Sequence, residues 1–527
     1  MSNNKNNNPR VRLAPSPTGA LHVGTARTAL FNYLFAKKEG GTFVLRIEDT
    51  DSERSKDKWE KDIIENLQWL GLNYDEGPTL NSDDKGSYGP YRQSERSELY
   101  NKYLKKLLEE DKAYRCFCSK EELEAQKEQQ IKKGEPPRYT GKCRSLTEEE
   151  VQDNLEQGKD FVIRLKNVDH NEGVKFNDII RGEVEFESNL LGDFALSKGF
   201  KQPLYNFAVV VDDYEMNISH VIRGEDHIPN TPKQILVREA LGFDWDPEFA
   251  HLPLILGEDE SKLSKRHGAV SISEYRQRGY LPEALINFMA FLGWNPGTSR
   301  EIYSLSNLSQ DFELSQIQKG GSQFNLDKLE WFNGKYIRKK PLDEVTKACL
   351  PYLIKSDLIE HTEENGDSIS TKHPDQQLFD KIEKFKVEDT GEVVDLGYLK
   401  GVVALYQERL NKFSEIPELV DFFFKKKLEY EKDLLQWEDM SDSALADMFD
   451  KLEKLLSNIE KWDQEKIEEV LMPAAEEVGD RGKMLWPLRA ALTGKEESAG
   501  PFEIAEVLGK EKTLQRIEEA KNKVTSN

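Results

Sequence analysis

Residues 10–50 read RVRLAPSPTGALHVGTARTALFNYLFAKKEGGTFVLRIEDT, and the order of elements in this stretch decides the fold. Val11 to Ala14 alternates apolar and polar side chains, as a short strand does. Pro15, Ser16, Pro17, Thr18 and Gly19 then break the strand, because two prolines fix φ and the glycine permits a sharp turn. From about Gly24 a helix follows, with Ala26, Ala29, Leu30, Tyr33 and Leu34 on one face. Gly40 and Gly41 end it, and Phe43 to Ile47 forms the next strand. Strand, tight loop, helix, strand is the opening of a nucleotide-binding βαβ unit.

The loop carries His22, Val23, Gly24 and Thr25. A histidine at a helix start can donate to a phosphate, and Gly24 lets a ligand come close to the backbone. The free N–H groups of a first helical turn, with the helix dipole, favour an anion there. A single His-x-Gly-x is equally the pattern of a surface or core histidine, so this loop does not decide the chemistry alone. A second stretch bears on it: Lys262, Leu263, Ser264, Lys265 and Arg266 sit in a polar, Gly-containing segment from Gly257 to Gly268. Such a loop can bring cations onto a triphosphate; taken by itself it also reads as a solvated basic turn.

Together, PSPTGALHVGT and KLSKR resemble the two signatures of class I aminoacyl-tRNA synthetases. RLAPSPTGALHVGTARTALFNYLFA, LRIEDTD, GPYRQSER, VIRGEDH and PLRAALTG narrow the likeness to the bacterial-type glutamyl-tRNA synthetases. It runs from about Arg10 to the last helix near Ile517.

Composition agrees with a large globular protein. The chain has 527 residues, 37% of them hydrophobic, with 8 Trp, 25 Phe and 18 Tyr. It holds no apolar run long enough to span a membrane, and MSNNKNNNPR lacks the apolar core of a secretory signal and reads as a flexible tail. The net charge of −23 argues against a generic nucleic-acid coat. It leaves room for an RNA that must be released, held by local basic patches. Only 4 cysteines occur, too few for a disulfide framework, which points to the cytosol. Cys349 stands alone in a helical context and reads as a buried thiol.

Further along, Glu48, Asp49, Thr50 and Asp51 close the second strand, where doubly wound folds bind ligands. Residues 56–70 form an amphipathic helix with Ile63, Ile64, Leu67 and Leu70 inward, and another helix runs to about Asp111. Cys116 and Cys118, followed by Cys143, can supply three of the four ligands zinc wants; the alternative is a degenerate knuckle that folds without metal. Phe161 to Arg164, Ile179 to Gly182 and Val184 to Phe186 are β-rich runs that suit an α+β insertion. Tyr205 to Val211 is a near-continuous apolar run, expected as a central parallel strand closed by Asp212 and Asp213. Ser219 to Ile222 is the next strand, with Arg223, Gly224, Glu225, Asp226 and His227 at its end, and a helix follows from Thr231 to Gly242. Residues 270–340 read as mostly helical. Beyond Pro341 almost only helical patterns occur, the clearest being Leu445, Met448, Phe449, Leu452, Leu455, Leu456 and Ile459 behind a Ser441 cap. His361 to Lys372 reads as an exposed loop.

The resemblance implies an α/β fold: a Rossmann-like doubly wound catalytic domain with an α+β insertion, then an all-α anticodon-binding domain. On it, residues 1–10 are a flexible tail, 11–95 and 205–250 are the two catalytic halves, and 96–204 is the acceptor-binding insertion. Residues 251–340 hold the signature loop and a stem-contact region, and 341–527 are the helical domain. The implied reaction joins L-glutamate to tRNA(Glu) through a glutamyl-adenylate made from ATP with Mg²⁺. His22, Lys262 and Lys265 are its catalytic residues; Gly24, Thr25, Asp226, Leu263, Ser264 and Arg266 contact ATP. Arg12, Arg223 and Tyr205 lie near the glutamate carboxylates, and Ser16 and Glu48 receive the ammonium. An arginine fork suits a carboxylate better than an amide. Val209 replaces a polar residue of relatives and has no polar role. Tyr139 resembles the tyrosine ligand of a C-x-C…Y-x-x-x-C zinc variant, completing a Zn²⁺ set with Cys116, Cys118 and Cys143; Ser145 stands where many relatives place a fourth ligand. The family habit is a cytoplasmic monomer. Charging of tRNA(Gln) as well stays open. A glutaminyl-tRNA synthetase, whose tail is β-barrel, is less favoured, as are a truncated tRNA-modifying relative, a non-catalytic RNA-binding paralogue and a small nucleotidylyltransferase.

Overall fold

The computed structural model describes residues 8–51, 54–81, 83–167, 173–187, 191–264, 266, 271–361 and 383–526. They form two compact units, Met1–Gln277 with Pro282–Leu329, and Arg278–Leu281 with Glu330–Asn527.

The first unit is built on a parallel sheet. Strand Arg10–Leu13 pairs with Thr42–Leu45, Arg10 opposite Thr42 and Leu13 opposite Leu45, and helix Val23–Lys38 crosses between them. The helix ends where Gly40 takes a φ of +64°. Gly41 then passes so close to Pro9 that a Cβ would sit 2.1 Å from the Pro9 carbonyl oxygen, so only glycine lets the chain enter the second strand there. On the other side of the first strand, the Ser219 N–H donates to the Arg10 carbonyl at 2.9 Å and sets strand His220–Gly224 alongside. Helix Thr231–Leu241 carries the chain to Glu248–Leu252, parallel to His220–Gly224. Arg10–Leu13 and His220–Gly224 thus lie side by side while their crossovers leave in opposite directions. That is a switch point, and ligands bind in the crevice beyond the strand ends at such a point.

Two expected strands are corrected. Tyr205–Glu215 is a helix, with Phe207 to Asp213 all buried. A helix covered on nearly every face reads as a continuous apolar run, the same signal as a buried parallel strand. Asp212 and Asp213 therefore sit on the last turns of a helix, not at a strand end. Ile179 to Arg181 form the turn between Val174–Asp178 and Gly182–Phe186, which pair antiparallel. The Asp178 carboxylate fixes that turn by accepting from the Ile180 and Arg181 amides at 3.0 and 2.8 Å. Val174–Asp178 also meets Glu248–Leu252, parallel, at Phe249 opposite Asp178. A separate antiparallel sheet joins Ala113–Cys116, Val162–Leu165, Ala195–Lys198 and Gln202–Pro203.

The second unit is helical, chiefly Leu342–Lys355, Asp442–Ser457, Gln464–Glu477, Gly482–Thr493, Pro501–Leu508 and Lys510–Thr525. Ser441 caps the second of these, its hydroxyl accepting from the Ala444 amide, and Leu445, Met448, Phe449, Leu452 and Leu456 are buried as their spacing predicts. Cys349 is buried in Leu342–Lys355, and burial pushes its thiol pKa up. This unit also carries a small antiparallel sheet that the helical pattern did not announce: Ile359–His361, Lys384–Val387 and Val393–Asp395. Of the loop expected at 361–372, all but His361 lies outside the described residues. No helix among the described residues is long and apolar enough to cross a membrane.

Candidate active site

A cavity of about 1030 Å³ opens at the switch point of the first unit. It is lined by the first loop and helix start (Ser16, His22, Gly24, Thr25), by Arg12 and Glu48 at the strand ends, and by Tyr205, Val209, Arg223, Asp226 and His227. Lys262, Leu263 and Ser264 complete its wall. Most residues singled out in the sequence for ATP and glutamate thus share one space. Arg266 does not: it turns to Asp259, 3.0 Å away. Lys265 lies outside the described residues.

One end of the cavity is built for an anion. His22 is the N-cap of helix Val23–Lys38 but its side chain makes no cap hydrogen bond, and the first turn carries no acidic residue. The amides there keep their positive end toward the cavity. A Cβ built on Gly24 would meet nothing within 4 Å, so the space above the helix start is open. Lys262 reaches across to Asp226, Nζ to Oδ2 at 3.1 Å, in an exposed pair. An exposed pair contributes little, so a polyphosphate can take Lys262 from Asp226 at small cost.

The other end is built on buried charge. Arg46 is fully buried; it donates to Asp213 Oδ1 at 2.6 Å and to Glu48 Oε1 at 3.1 Å, and lies 3.7 Å from Asp212. Arg12 donates from Nε to both Asp213 oxygens at 3.2 Å. Asp212 is matched on its far side by Arg96 at 2.7 Å, by Tyr100, and by Gln93 at 2.8 Å. Burial opposes ionisation of Asp213, but Arg12 and Arg46 outweigh it and hold its carboxyl below the usual range. At Glu48 burial prevails over the same Arg46, and the pKa is raised.

Arg223, beside Arg12, is held on three sides. Its Nε donates to His251 Nε2 at 3.2 Å, Nη2 to Thr231 Oγ1 at 2.8 Å, and Nη1 faces Tyr205 Oη at 3.4 Å. Tyr205 Oη is 2.9 Å from His227 Nδ1, and burial together with the Arg223 charge pushes His227 down to about 4. Arg46, Asp178 and His251 were missed in the sequence. Arg46 left one signal, a charge inside the apolar run Phe43 to Ile47 and two residues before Glu48. Nothing local marks Asp178 or His251.

The cysteine knuckle lies apart from the cavity lining. Cys116, Cys118 and Cys143 bring their sulfurs within 4.8 Å of one another. Cys118 and Cys143 are 3.6 Å apart, and Tyr139 Oη lies 3.3 and 3.5 Å from Cys116 and Cys118. Zn–S bonds of about 2.3 Å in a tetrahedron set sulfurs roughly 3.8 Å apart, so this donor set fits zinc.

An anion-seeking helix start at a switch point, faced by a lysine loop and backed by paired arginines, defines a site that activates a carboxylate with a nucleotide. Comparison with known proteins narrows this. Residues 9–331 match the family described as "tRNA synthetases class I (E and Q), catalytic domain", and residues 377–521 match "Anticodon binding domain". Glutamate-tRNA ligase 1 of Caldicellulosiruptor saccharolyticus is 44% identical over 97% of this chain and 98% of its own. The glutamate-tRNA ligase of Carboxydothermus hydrogenoformans is 43% identical over 96% and 98%. A crystal structure of a glutamate tRNA ligase from Elizabethkingia meningosepticum in complex with its amino acid superposes with a TM-score of 0.82 at 34% identity, covering 98% of this chain and 99% of that one. The chain belongs to the class I aminoacyl-tRNA synthetases of the glutamate and glutamine group, within the glutamate-tRNA ligases.

Proposed function

We propose that this enzyme joins L-glutamate to tRNA(Glu) in two steps at the cavity of the first unit. The observation that carries the reading is one cavity with a cation-rich end at His22 and Lys262 and an arginine-lined end at Arg12 and Arg223. The glutamate α-carboxylate attacks the α-phosphate of ATP, forming glutamyl-adenylate and releasing pyrophosphate. The 2′-hydroxyl of the terminal adenosine then takes the glutamyl group and AMP leaves. His22 and the first-turn amides at Gly24 and Thr25 hold the phosphates. Lys262 and Lys265 balance charge on the departing pyrophosphate, and Leu263, Ser264 and Arg266 shape that loop. Asp226 serves the ATP ribose once Lys262 is drawn away. Arg12 and Arg223 hold the carboxylates with Tyr205 beside them, and Glu48 and Ser16 receive the ammonium. Mg²⁺, when bound to the phosphates, lowers their charge. Catalysis is then positioning plus cation supply.

Cys116, Cys118, Cys143 and Tyr139 would hold zinc, which would staple the insertion away from the cavity. The enzyme works as a cytosolic monomer, and tRNA(Gln) is a second acceptor only if the enzyme is non-discriminating. Aminoacylation with radiolabelled glutamate on separate tRNA(Glu) and tRNA(Gln) transcripts, with glutamine in parallel, tests the reading. Charging of tRNA(Glu) with glutamate is expected; failure of both tRNAs to accept it overturns the proposal. Lys265→Ala is expected to abolish adenylate formation and leave tRNA affinity nearly unchanged.

A further inference from the structure

Arg223 reaches the cavity from a buried relay that the two-step chemistry does not use. Asp178 and His251 are both essentially without solvent contact. Asp178 Oδ2 lies 2.6 Å from His251 Nδ1 and also accepts the His251 backbone N–H at 3.0 Å, while Oδ1 accepts the Ile180 and Arg181 amides. A carboxylate surrounded by donors can only accept. The ring proton of His251 therefore sits on Nδ1, and Nε2 offers a lone pair. That lone pair faces the Nε–H of Arg223 at 3.2 Å and the Thr231 hydroxyl at 3.1 Å, and Thr231 in turn accepts from Arg223 Nη2, so His251 and Thr231 hold the guanidinium edge together. The imidazole cannot swing away, since it stacks on Phe249 and packs against Phe176. With Nε committed to His251 and Nη2 to Thr231, the planar guanidinium has one orientation, and its remaining N–H groups point where the cavity lies.

We propose that His251, fixed by Asp178, is a positioning residue that locks the Arg223 fork in register for a carboxylate and thereby sets the preference for glutamate over glutamine. The inference rests on the assignment of Arg223 to the substrate carboxylate. A locked fork presents only donors, and the NH₂ of a carboxamide meets them unfavourably; a loosened fork can turn and relieve that clash. Removal of the acceptor also leaves a charged, buried donor unmatched.

The test is steady-state aminoacylation of tRNA(Glu) by the full-length enzyme, with KM measured for glutamate and for ATP and with glutamine as competitor substrate. His251→Leu keeps the bulk and loses the acceptor. It is expected to raise the glutamate KM about 10–100-fold, to leave the ATP KM within about twofold, and to narrow the glutamate-to-glutamine ratio of kcat/KM about tenfold. His251→Gln, which returns an acceptor near the Nε2 position, is expected to recover most of the loss. Asp178→Asn lets the side chain donate to Nδ1 and puts the proton on Nε2 against Arg223; it is expected to act as His251→Leu does, and it carries the test if the leucine variant does not fold. Arg223→Lys is the reference. If Arg223→Lys impairs glutamate use while His251→Leu and Asp178→Asn keep the normal glutamate KM and ratio, the positioning role is overturned and the Arg223 assignment survives. If Arg223→Lys itself changes nothing, the assignment beneath the inference fails. Parallel rises in both KM values without a change in the ratio also overturn the proposal, since that is the mark of general loosening.

Discussion

The catalytic cavity and the cysteine knuckle collect their side chains in opposite ways. The knuckle draws four donors from residues 116–143 and orders them through short contacts among themselves. The cavity draws on segments as far apart as Arg12 and Lys262, and its working side chains are oriented by buried partners such as Arg46, Asp213 and His251. A local cluster can be stapled by one ion; a dispersed one needs the whole sheet and helix set to hold still. Substitutions in the two regions should therefore differ in reach.

The largest effect is expected at Arg46. Arg46→Met leaves Asp213, Asp212 and Glu48 buried with one cation fewer, a loss of roughly 3–5 kcal/mol. Chemical denaturation should show it, together with loss of glutamate-dependent pyrophosphate exchange; a wild-type midpoint would falsify the account of the buried charges. Lys262→Ala comes next and separates chemistry from stability. Pyrophosphate exchange, measured with tRNA present, should fall about 10²–10³-fold. The denaturation midpoint should hold, because the exposed Lys262–Asp226 pair contributes roughly 0–1 kcal/mol. Cys118→Ser should abolish zinc measured by atomic absorption and raise the KM for tRNA several-fold, with the ATP and glutamate KM values unchanged. Equal damage to the ATP KM would mean that the knuckle is not a local device.

The cavity and the knuckle also differ in how far their residues could be read from sequence. The knuckle was visible because its spacing is local. The first loop and the lysine loop were singled out only as a pair: each alone also reads as an ordinary turn, and it was their resemblance to the two class I signatures that marked them. The supporting layer was not. No pattern joins Asp178 to His251 across the sheet, and their pairing exists only once Val174–Asp178 has docked beside Glu248–Leu252. The helix Tyr205–Glu215 was misread for a related reason: burial on nearly all faces erased the 3.6-residue period that would have named it, and Asp213 was thereby put at a strand end. Arg46 could have been suspected, since a lone charge in an apolar run demands a partner.

The smallest expected effect is the pH response of His227. Pushed down to about 4, it stays neutral in the folded enzyme while the unfolded chain takes up a proton near pH 6.5. Stability should accordingly fall as pH drops from about 6.5 to 4, by on the order of 1 kcal/mol given partial solvent contact, and be unaffected by this residue above that range. His227→Gln should flatten the slope in denaturation curves taken at steps of pH; an unchanged slope would assign the acid sensitivity to other groups.

Asp213 meets Arg12 and Arg46 across 201 and 167 residues of chain. A ribosome adding about 5–20 residues per second needs on the order of ten seconds or longer to cover that distance. For all that time the newly made βαβ segment holds two arginines at the heart of a sheet with only Glu48 of their later carboxylate partners in hand. Its interior cannot close until the helix carrying Asp212 and Asp213 has emerged. A chain halted before residue 205 lacks both Asp212 and Asp213, so it is expected to leave Arg46 with Glu48 alone and not to settle as a half-sized nucleotide-binding domain.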